Sequence, residues 1–289
     1  MVLGPATAES TRTRPAYRPP RIDNAWRRVG PLVAGAPALL VTTLADPTDA
    51  STLAYVAWIN HTRTAIGLYP GLRQPPVASP RGPAEVPYGE RWRLLAAFNG
   101  GFKYDSSGSD YGFAVDGHTY VWLKRGLGTL IGYRNGRLDV LRWRGAPTAP
   151  ENIAFARQNL PLIVNDGHAV PGINNGRAWG RTLGGVADVW RTGVGVDGHR
   201  NLIYAAAGNQ NAAGLAAILI RAGAIRAIEL DINPEWPTFN LYGHQAGIQP
   251  TMFVPNVQQS ARRYLRPDNR DFFAVYRRTG GATVSVPFR

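Results

Sequence analysis

Dipeptides that form tight β-turns recur along this chain and constrain its fold more than any other feature. Asp116-Gly117, Asn135-Gly136 and Asp197-Gly198 each separate two short apolar runs. Asp-Gly and Asn-Gly supply the positive φ angles that two-residue turns need, so each pair of runs is predicted to form an antiparallel hairpin. The 33 glycines and 23 prolines agree with many short strands joined by tight turns.

Helical periodicity is confined to short segments of the chain. Residues 212–222 place apolar side chains on one face of a helix, between a capping Asn211 and a terminating Gly223. Short helices are also predicted near residues 151–159 and 257–264. The hairpins and helices together predict an α+β fold, with a mainly antiparallel β-sheet, several hairpins and two or three packed helices.

The first 35 residues differ in composition from the rest. They are rich in Pro, Arg, Thr and Ala and predict a flexible N-terminal segment, whereas residues 36–289 predict a single domain. The opening residues lack the basic-then-apolar layout of a secretory signal, so no export signal is predicted there. No apolar run is long enough to predict a membrane span. Because the chain has no cysteine, disulfides and thiolate metal sites are excluded.

The net charge of +13 is carried almost wholly by arginine, since lysine occurs only at Lys103 and Lys124. Such a surplus favours an anionic partner, namely an anionic glycan, a sugar phosphate or a nucleic acid. No compact basic run with interleaved aromatic residues occurs, so no specific nucleic-acid binding is predicted. Peripheral association with the cell envelope is left open. Zinc-peptidase, α/β-hydrolase and P-loop motifs are absent from the sequence.

Glu229 and Asp231 end a predicted strand and are the first candidates for catalysis. At strand spacing both carboxylates share one face, and Ile228 and Leu230 take the other face, where they are expected to pack on the preceding helix. Two close carboxylates repel, so one can hold a raised pKa and act as a general acid while the other stays ionised. A pair facing arginines, or an oxygen-ligand metal site, is the alternative. No cofactor is expected, and a divalent metal is not excluded.

A second candidate is the end of the strand predicted over residues 93–99. Asn99 is followed there by Gly100 and Gly101, whose backbone amides could hold an oxyanion or a phosphate oxygen, with Lys103 close by. The alternative for a lone Asn-Gly-Gly is a tight turn.

The other candidates lie on one strand and in three loops. Arg191 shares a strand face with two glycines, an arrangement that suits planar contact with a carboxylate or phosphate, although a structural ion pair would look the same. Asp166 lies in a polar strand-end segment that is either a pocket wall or a turn. Trp179 and Trp236, the latter in a loop with Asn233, are candidate sugar-stacking platforms or core residues.

Taken in order, these stretches resemble the phosphodiester glycosidase family. The shared pattern is a strand ending in Asn-Gly-Gly-Phe (residues 99–102), an Arg-Thr before a glycine-rich strand (191–196), and an apolar helix with a strand ending in Leu-Asp (216–231). The resemblance extends from about residue 52 to residue 277. It is strongest to a bacterial branch, through phrases such as RQNLPLIVNDG and AGAIRAIELDINPEW.

The resemblance implies hydrolysis of a sugar phosphodiester at the anomeric carbon, outside the cytoplasm. It matches Asp231, Arg191 and Asn99 to the family's aspartate, arginine and asparagine. One departure is that the family continues Leu-Asp-Gly-Gly-Gly-Ser, whereas this chain continues through Asn233 to Glu235 without a glycine. The loss of those glycines removes backbone amides that could approach a phosphate, so either the substrate differs or the activity is absent.

We therefore expect a glycosidase-type hydrolase that cleaves a sugar phosphodiester or a related glycosidic bond in a cell-envelope glycan. The predicted catalytic residues are Asp231, Glu229 and Arg191. The predicted substrate-binding residues are Asn99, Gly100, Gly101, Lys103, Asp166, Thr192, Asn233, Trp179 and Trp236. The alternatives are a non-catalytic glycan-binding protein that retains the pocket and a basic nucleic-acid binder.

Overall fold

A computed structural model describes residue 19 and residues 25–76, 82–104, 111–180, 186 and 188–279. Within these ranges the chain forms eighteen β-strands, one α-helix and three short 3-10 helices. The first nine strands are β1 (Arg27–Val33), β2 (Ala36–Ala45), β3 (Leu53–Ile59), β4 (Thr64–Tyr69), β5 (Leu94–Asn99), β6 (Phe113–Val115), β7 (His118–Val121), β8 (Gly128–Tyr133) and β9 (Leu138–Arg142). The other nine are β10 (Ile153–Gln158), β11 (Val164–Asn165), β12 (His168–Ala169), β13 (Val189–Val196), β14 (Leu202–Gln210), β15 (Arg226–Glu229), β16 (Phe239–Gly243), β17 (Gln249–Met252) and β18 (Phe272–Arg277). Helix α1 spans Ala212–Arg221, and the 3-10 helices span Tyr88–Arg93, Gly176–Ala178 and Arg263–Leu265.

The strands form three antiparallel sheets. Sheet I has eight strands in the order β1-β2-β3-β14-β13-β15-β11-β12. Sheet II has the order β7-β6-β10-β8-β9, and sheet III has the order β17-β16-β5-β18-β4. Strands β5 and β15, which precede the candidate site residues, therefore belong to different sheets.

The three sheets enclose one apolar core, to which each contributes aromatic side chains. Phe98 of sheet III stacks on Phe273 with ring centroids 5.1 Å apart, and it packs against Tyr204 of sheet I at 5.2 Å. Phe155 of sheet II contacts the edge of Phe273 at 5.8 Å. Burying each such ring stabilises the fold by about 2–3 kcal/mol, so these contacts hold the three sheets packed together.

Helix α1 covers the outer face of sheet I. The side chain of Asn211 caps the helix by accepting a hydrogen bond from the Gly214 amide at 3.0 Å. Leu219 lies against Gly193 of β13, where an added Cβ would be 3.0 Å from the leucine methyl group. The small residues of this face thus let the helix approach closely. None of the described helices is long and apolar enough to cross a membrane.

The fold is mainly β, so the predicted α+β class with two or three packed helices is wrong. The helix expected near residues 151–159 is strand β10, which pairs with β6 and β8. The helix expected near residues 257–264 is reduced to the 3-10 turn Arg263–Leu265. Helices of this length are only marginally stable by themselves, and β10 gains a hydrogen-bonding partner on each side.

The two faces of β15 are the reverse of those predicted. Ile228 and Leu230 point into the core between the sheets, whereas Ala227 lies against α1. The helix selects the face with small residues because only that face allows its close approach. Glu229 therefore lies on the helix side of sheet I.

Strand β1 lies within the segment 1–35 that composition predicts to be flexible. It pairs with β2 at the edge of sheet I, and its Val29 is buried in the common core.

Candidate active site

A cavity of about 520 Å³ opens beside the loop that follows β15. It is lined by Phe102, Lys103, Tyr111, Gly180, Asp231, Ile232, Asn233, Glu235, Trp236 and Arg270. Four of the candidates predicted from the sequence meet here, namely Asp231, Lys103, Asn233 and Trp236. The combination of carboxylates, cations and aromatic rings suits an anionic sugar-containing ligand.

Asp231 is the buried acid of this cavity, with only 5% of its surface exposed. One carboxylate oxygen accepts a hydrogen bond from Arg270 Nη2 at 2.7 Å, and the other accepts one from the Asn233 amide at 3.0 Å. Burial raises the pKa of Asp231, although Arg270 and these hydrogen bonds act in the opposite direction. A buried carboxyl with a raised pKa is suited to holding and releasing a proton.

Arg270 is the main site residue that sequence reasoning missed. Besides its ion pair with Asp231, its Nη2 donates to the Gly101 carbonyl at 3.0 Å, and its guanidinium lies 4.9 Å from the Trp236 ring centroid. Its Nε is buried and has no hydrogen-bond partner among the described residues. Arg270 precedes β18, and only the pairing of Phe272 with Asn99 brings it to the end of β5.

Asn99 and Thr192 position the backbone of Asp231 from below the cavity. Asn99 Nδ2 donates to Thr192 Oγ1 at 3.0 Å. Thr192 Oγ1 in turn donates to the Asp231 carbonyl at 3.0 Å and accepts from the Asp231 amide at 2.9 Å. Asn99 Oδ1 also accepts from the Tyr204 hydroxyl and the Thr238 amide. The end of β5, strand β13 and the end of β15 therefore meet at Asp231. The Asn99 and Thr192 side chains support this acid and do not line the cavity.

Gly100 and Gly101 make room for a buried ion pair. The Gly100 amide donates to the Asp271 carbonyl at 3.0 Å, so this amide is already engaged. A Cβ on Gly100 would lie 2.0 Å from Asp271 Oδ2, and one on Gly101 would lie 2.9 Å from Arg157 Cζ. Arg157 and Asp271 pair at 2.8 Å with almost no exposure. The glycines are thus needed for close packing around this pair.

Glu229 and Arg191 pair with each other behind the cavity and do not line it. Glu229 Oε1 accepts from Arg191 Nη1 at 2.6 Å, and Glu229 is fully buried. Arg191 Nε donates to the Gln210 carbonyl at 2.7 Å, and its Nη1 donates to the Trp179 carbonyl at 3.0 Å. Burial raises the pKa of Glu229 to about 7, although Arg191 lowers it. Glu229 and Arg191 therefore form a structural ion pair, which was the alternative interpretation of each residue in the sequence.

Two further predicted residues lie outside the cavity. Trp179 is buried in the cluster that includes α1, and its Nε1 donates to the Gly172 carbonyl at 3.2 Å. Asp166 occupies the exposed turn between β11 and β12, with a φ of 50°. Glu235, Phe102 and Tyr111 also line the cavity but were not predicted as site residues, although Phe102 ends the Asn-Gly-Gly-Phe stretch.

The loop after Asp231 lacks the family's glycines, and side-chain hydrogen bonds hold it in place. The Asn233 side chain accepts from the Glu235 amide at 3.0 Å. Asn256 Nδ2 donates to the carbonyls of Glu235 at 3.1 Å and Pro237 at 2.9 Å, and Gln259 Nε2 donates to the Glu235 carbonyl at 2.9 Å. Residues 256–259 therefore fix the loop that presents Glu235 to the cavity.

No group of three His, Asp or Glu side chains in the described ranges could hold a metal ion. The cavity offers cationic groups for an anion instead. Arg270 and Lys103 are the residues placed to contact it.

The fold and cavity define a mainly β protein whose candidate site joins a buried aspartate to an arginine. No protein-family model matches the sequence, and no curated protein matches it. Among solved structures, the chain is similar to the catalytic domain of zebrafish N-acetylglucosamine-1-phosphodiester alpha-N-acetylglucosaminidase auto-inhibited by its pro-peptide. The identity is 17%, the match covers 87% of each chain, and the TM-score is 0.55.

A hypothetical protein from Synechocystis is also similar, at 12% identity, with 86% of this chain and 64% of that chain covered and a TM-score of 0.44. At 17% identity the likeness to the zebrafish domain is one of fold. It supports a distant structural relationship to the zebrafish domain and does not extend to the bacterial branch that the sequence phrases suggested.

Proposed function

We propose that this protein is a glycosidase-type hydrolase that cleaves a sugar phosphodiester or a related glycosidic bond in an anionic cell-envelope glycan, outside the cytoplasm. The observation that carries the proposal is the position of Asp231, buried at a cavity that also presents Lys103 and Arg270. The likeness of fold to the zebrafish catalytic domain supports the same class of reaction.

In this reaction the bond between the anomeric carbon and the leaving oxygen breaks, and water supplies the new oxygen on that carbon. Asp231 is assigned as the acid that protonates the leaving oxygen, because it lies buried at the cavity and burial raises its pKa against the opposing effect of Arg270. Glu235 is exposed at the same cavity and is assigned as the base that takes the proton from the attacking water. Glu229, predicted as the partner acid, has no part in this scheme because it is sealed beside Arg191.

The other cavity residues bind and orient the substrate. Arg270 and Lys103 stabilise negative charge on the leaving phosphate. Trp236 and Phe102 provide aromatic surface for a sugar ring. Asn99 and Thr192 are positioning residues that keep Asp231 at its place through its backbone.

The experiment is hydrolysis of defined glycosyl phosphodiesters, followed by release of reducing sugar. Asp231→Asn is expected to lower kcat by about 10²–10⁴-fold and to remove the alkaline limb of the pH–rate profile. Glu235→Gln is expected to remove the acidic limb, because the base must be ionised to act. Asp166→Asn makes the same chemical change on an exposed turn and should leave the rate unchanged. Wild-type rates in both cavity variants, at unchanged melting temperature, would refute the assignment.

A non-catalytic glycan-binding role is the second candidate, and one observation favours it. Both oxygens of Asp231 already accept hydrogen bonds, one from Arg270 and one from the Asn233 amide. An acid held in this way can orient a ligand without transferring a proton. Ligand retention with no release of reducing sugar from any glycosyl phosphodiester would select this role.

A further inference from the structure

Two neighbouring segments of sheet II bring together four exposed basic side chains. Lys124 and Arg125 lie in the segment after β7, whereas Arg142 ends β9 and Arg144 follows it. All four side chains are exposed, and we call them the basic patch. The linear sequence does not reveal this patch, because seventeen positions, from 125 to 142, separate its two halves.

Packing explains why the four side chains face solvent together. Leu123 and Trp143 are both buried in the same apolar cluster of sheet II, so the residues that flank them point outward. The Trp143 amide donates to the Leu127 carbonyl at 2.8 Å, and the Gly126 amide donates to the Trp143 carbonyl at 2.9 Å. Arg125 Nε donates to the Gly145 carbonyl at 3.3 Å. The two segments therefore form one continuous surface.

The four cations of the basic patch are not paired with acids of the described chain. Between residues 111 and 150 the acids are Asp116, which pairs with Arg134 at 3.6 Å, and Asp139, which pairs with Arg200 and with Arg226. Among the described residues, none of the four patch cations forms an ion pair. The patch thus presents several uncompensated charges to a partner.

The basic patch also carries an exposed aromatic ring, and one buried side chain connects its backbone to the segment that lines the candidate active site. Trp122 is 72% exposed and lies two residues before Lys124. Gln158 Oε1 accepts from the Lys124 amide at 2.7 Å and from the Gly112 amide at 3.1 Å. Gly112 directly follows Tyr111, which lines the cavity. One buried side chain therefore links the patch to the cavity wall.

We propose that the basic patch and Trp122 form a second binding surface for a polyanionic glycan with repeated phosphate groups. This inference rests on the proposed function, since a polymer with one phosphodiester in the cavity must pass over the neighbouring surface. The cations match the phosphates in charge, and Trp122 offers a face for one sugar ring. A nucleic acid is less favoured, because single strands are held by successive stacked bases and the described patch exposes one aromatic ring.

The first test removes the charge of the patch and measures binding of a purified poly(glycosyl phosphate) by calorimetry. Replacing all four residues with Gln is expected to weaken binding about tenfold at physiological salt, and to reduce its salt dependence. The matched control replaces four other exposed arginines, Arg27, Arg28, Arg137 and Arg266, with Gln. The control removes the same charge and should bind as wild type. Equal losses in both variants, or no loss in either, would overturn the proposal.

The second test separates a glycan site from a general polyanion site. Trp122→Ala is expected to weaken the glycan about threefold to tenfold and to leave binding of inorganic polyphosphate unchanged. Tyr88→Ala, which removes another highly exposed ring, should change neither. Generic DNA that binds as tightly as the glycan, with the same dependence on the four cations, would overturn the assignment to a glycan.

Hydrolysis of a small glycosyl phosphodiester distinguishes this inference from the proposed function. The variant in which Gln replaces all four patch residues should keep the wild-type kcat/KM on the small substrate and show a lower kcat/KM on the polymer. That result would support the patch as a binding surface for the polymer. Wild-type protein that hydrolyses neither substrate, yet binds the polymer through the patch, would refute hydrolysis and uphold the binding surface. If the same variant loses activity on the small substrate, the patch is not a binding surface separate from the cavity, and the proposal is overturned.

Discussion

At the scale of single residues, Glu229 and Asp231 show how two acids at strand spacing come to lie in different environments. Glu229 is the last residue of β15 and lies beside Arg191 on the helix side of sheet I. Asp231 lies beyond the end of the strand and lines the cavity with Arg270. Strand alternation predicts a shared face only while the strand continues, so the spacing could not show this separation.

The raised pKa of Glu229 predicts a pH dependence of stability. Its pKa rises from 4.5 to about 7 on folding, so the folded state binds this proton more tightly than the unfolded state. The stabilisation is present below the unfolded pKa and is lost as the pH rises through the folded pKa. The free energy of unfolding should therefore fall by about 3 kcal/mol between pH 4.5 and 7, relative to a variant without this group.

Urea unfolding of wild type and Glu229→Gln over this pH range measures the effect. The difference between the two should grow in favour of wild type as the pH is lowered. Glu151→Gln, the same change at an exposed position, should follow wild type throughout. Parallel curves for wild type and Glu229→Gln would show that Glu229 ionises alike in the folded and unfolded states, which would contradict the raised pKa.

At the scale of elements, the hairpin turns and helix α1 were predictable from the sequence, whereas the two other predicted helices are wrong. The hairpins predicted at Asp116-Gly117, Asn135-Gly136 and Asp197-Gly198 are confirmed as β6–β7, β8–β9 and β13–β14. Asp116, Gly117 and Gly136 adopt the positive φ angles expected of such turns, whereas the positive φ in the turn after β13 falls on Arg200. Strand β10 was predicted as a helix because its own six residues do not indicate which strands pair with it. Its pairing with β6 and β8 stabilises the strand.

The glycines of β13 show a role that the sequence suggested only in outline. They were predicted to leave space beside Arg191 for a ligand, but that space holds helix α1 and neighbouring backbone. A Cβ on Gly195 would lie 2.7 Å from the Arg226 carbonyl and 2.8 Å from the Ala224 Cβ. Neither of these atoms lies at the end of a flexible side chain, so the strands must shift to admit it.

Gly195→Ala is therefore expected to destabilise the protein by about 1–3 kcal/mol, measured by urea unfolding. Gly198→Ala provides the control two loop positions beyond the end of β13. Its added Cβ would meet no atom within 4 Å, and its φ is not positive. That variant should be neutral or more stable by about 0.4–1 kcal/mol, because alanine restricts the unfolded chain. Equal stability of the two variants would contradict the close approach of β15 to β13.

At the scale of the whole molecule, the cavity depends on contacts between distant segments. The sequence predicted Asp231, Lys103 and Trp236 as site residues: Asp231 from its strand end and from the resemblance, Lys103 from its place beside Gly100 and Gly101, and Trp236 as an indole in a polar loop. It could not place Arg270, which reaches Asp231 only because β18 pairs with β5 in sheet III. The resemblance also could not show that Arg191 forms an ion pair with Glu229, because that pair is buried only when α1 packs on sheet I.

The same dependence on distant contacts decides how much of the N-terminal segment the fold needs. Residues 27–33 lie within the segment 1–35 that composition predicts to be flexible, and they form the edge strand β1 of sheet I. Val29 is buried in the common core, and an added Cβ on Gly30 would lie 2.7 Å from a methyl group of Leu95. Removing β1 uncovers this contact and leaves the edge of β2 unpaired.

A chain that begins at residue 36 should therefore melt about 5–10 °C lower than a chain that begins at residue 25, because only the longer chain contains β1. Calorimetry measures both, and light scattering after heating should show more aggregation for the shorter chain because its sheet edge is open. The assay on small glycosyl phosphodiesters at 25 °C provides the control, since β1 contributes no residue to the cavity. Equal melting of the two truncated chains would mean that β1 adds no stability and that the folded domain begins at β2.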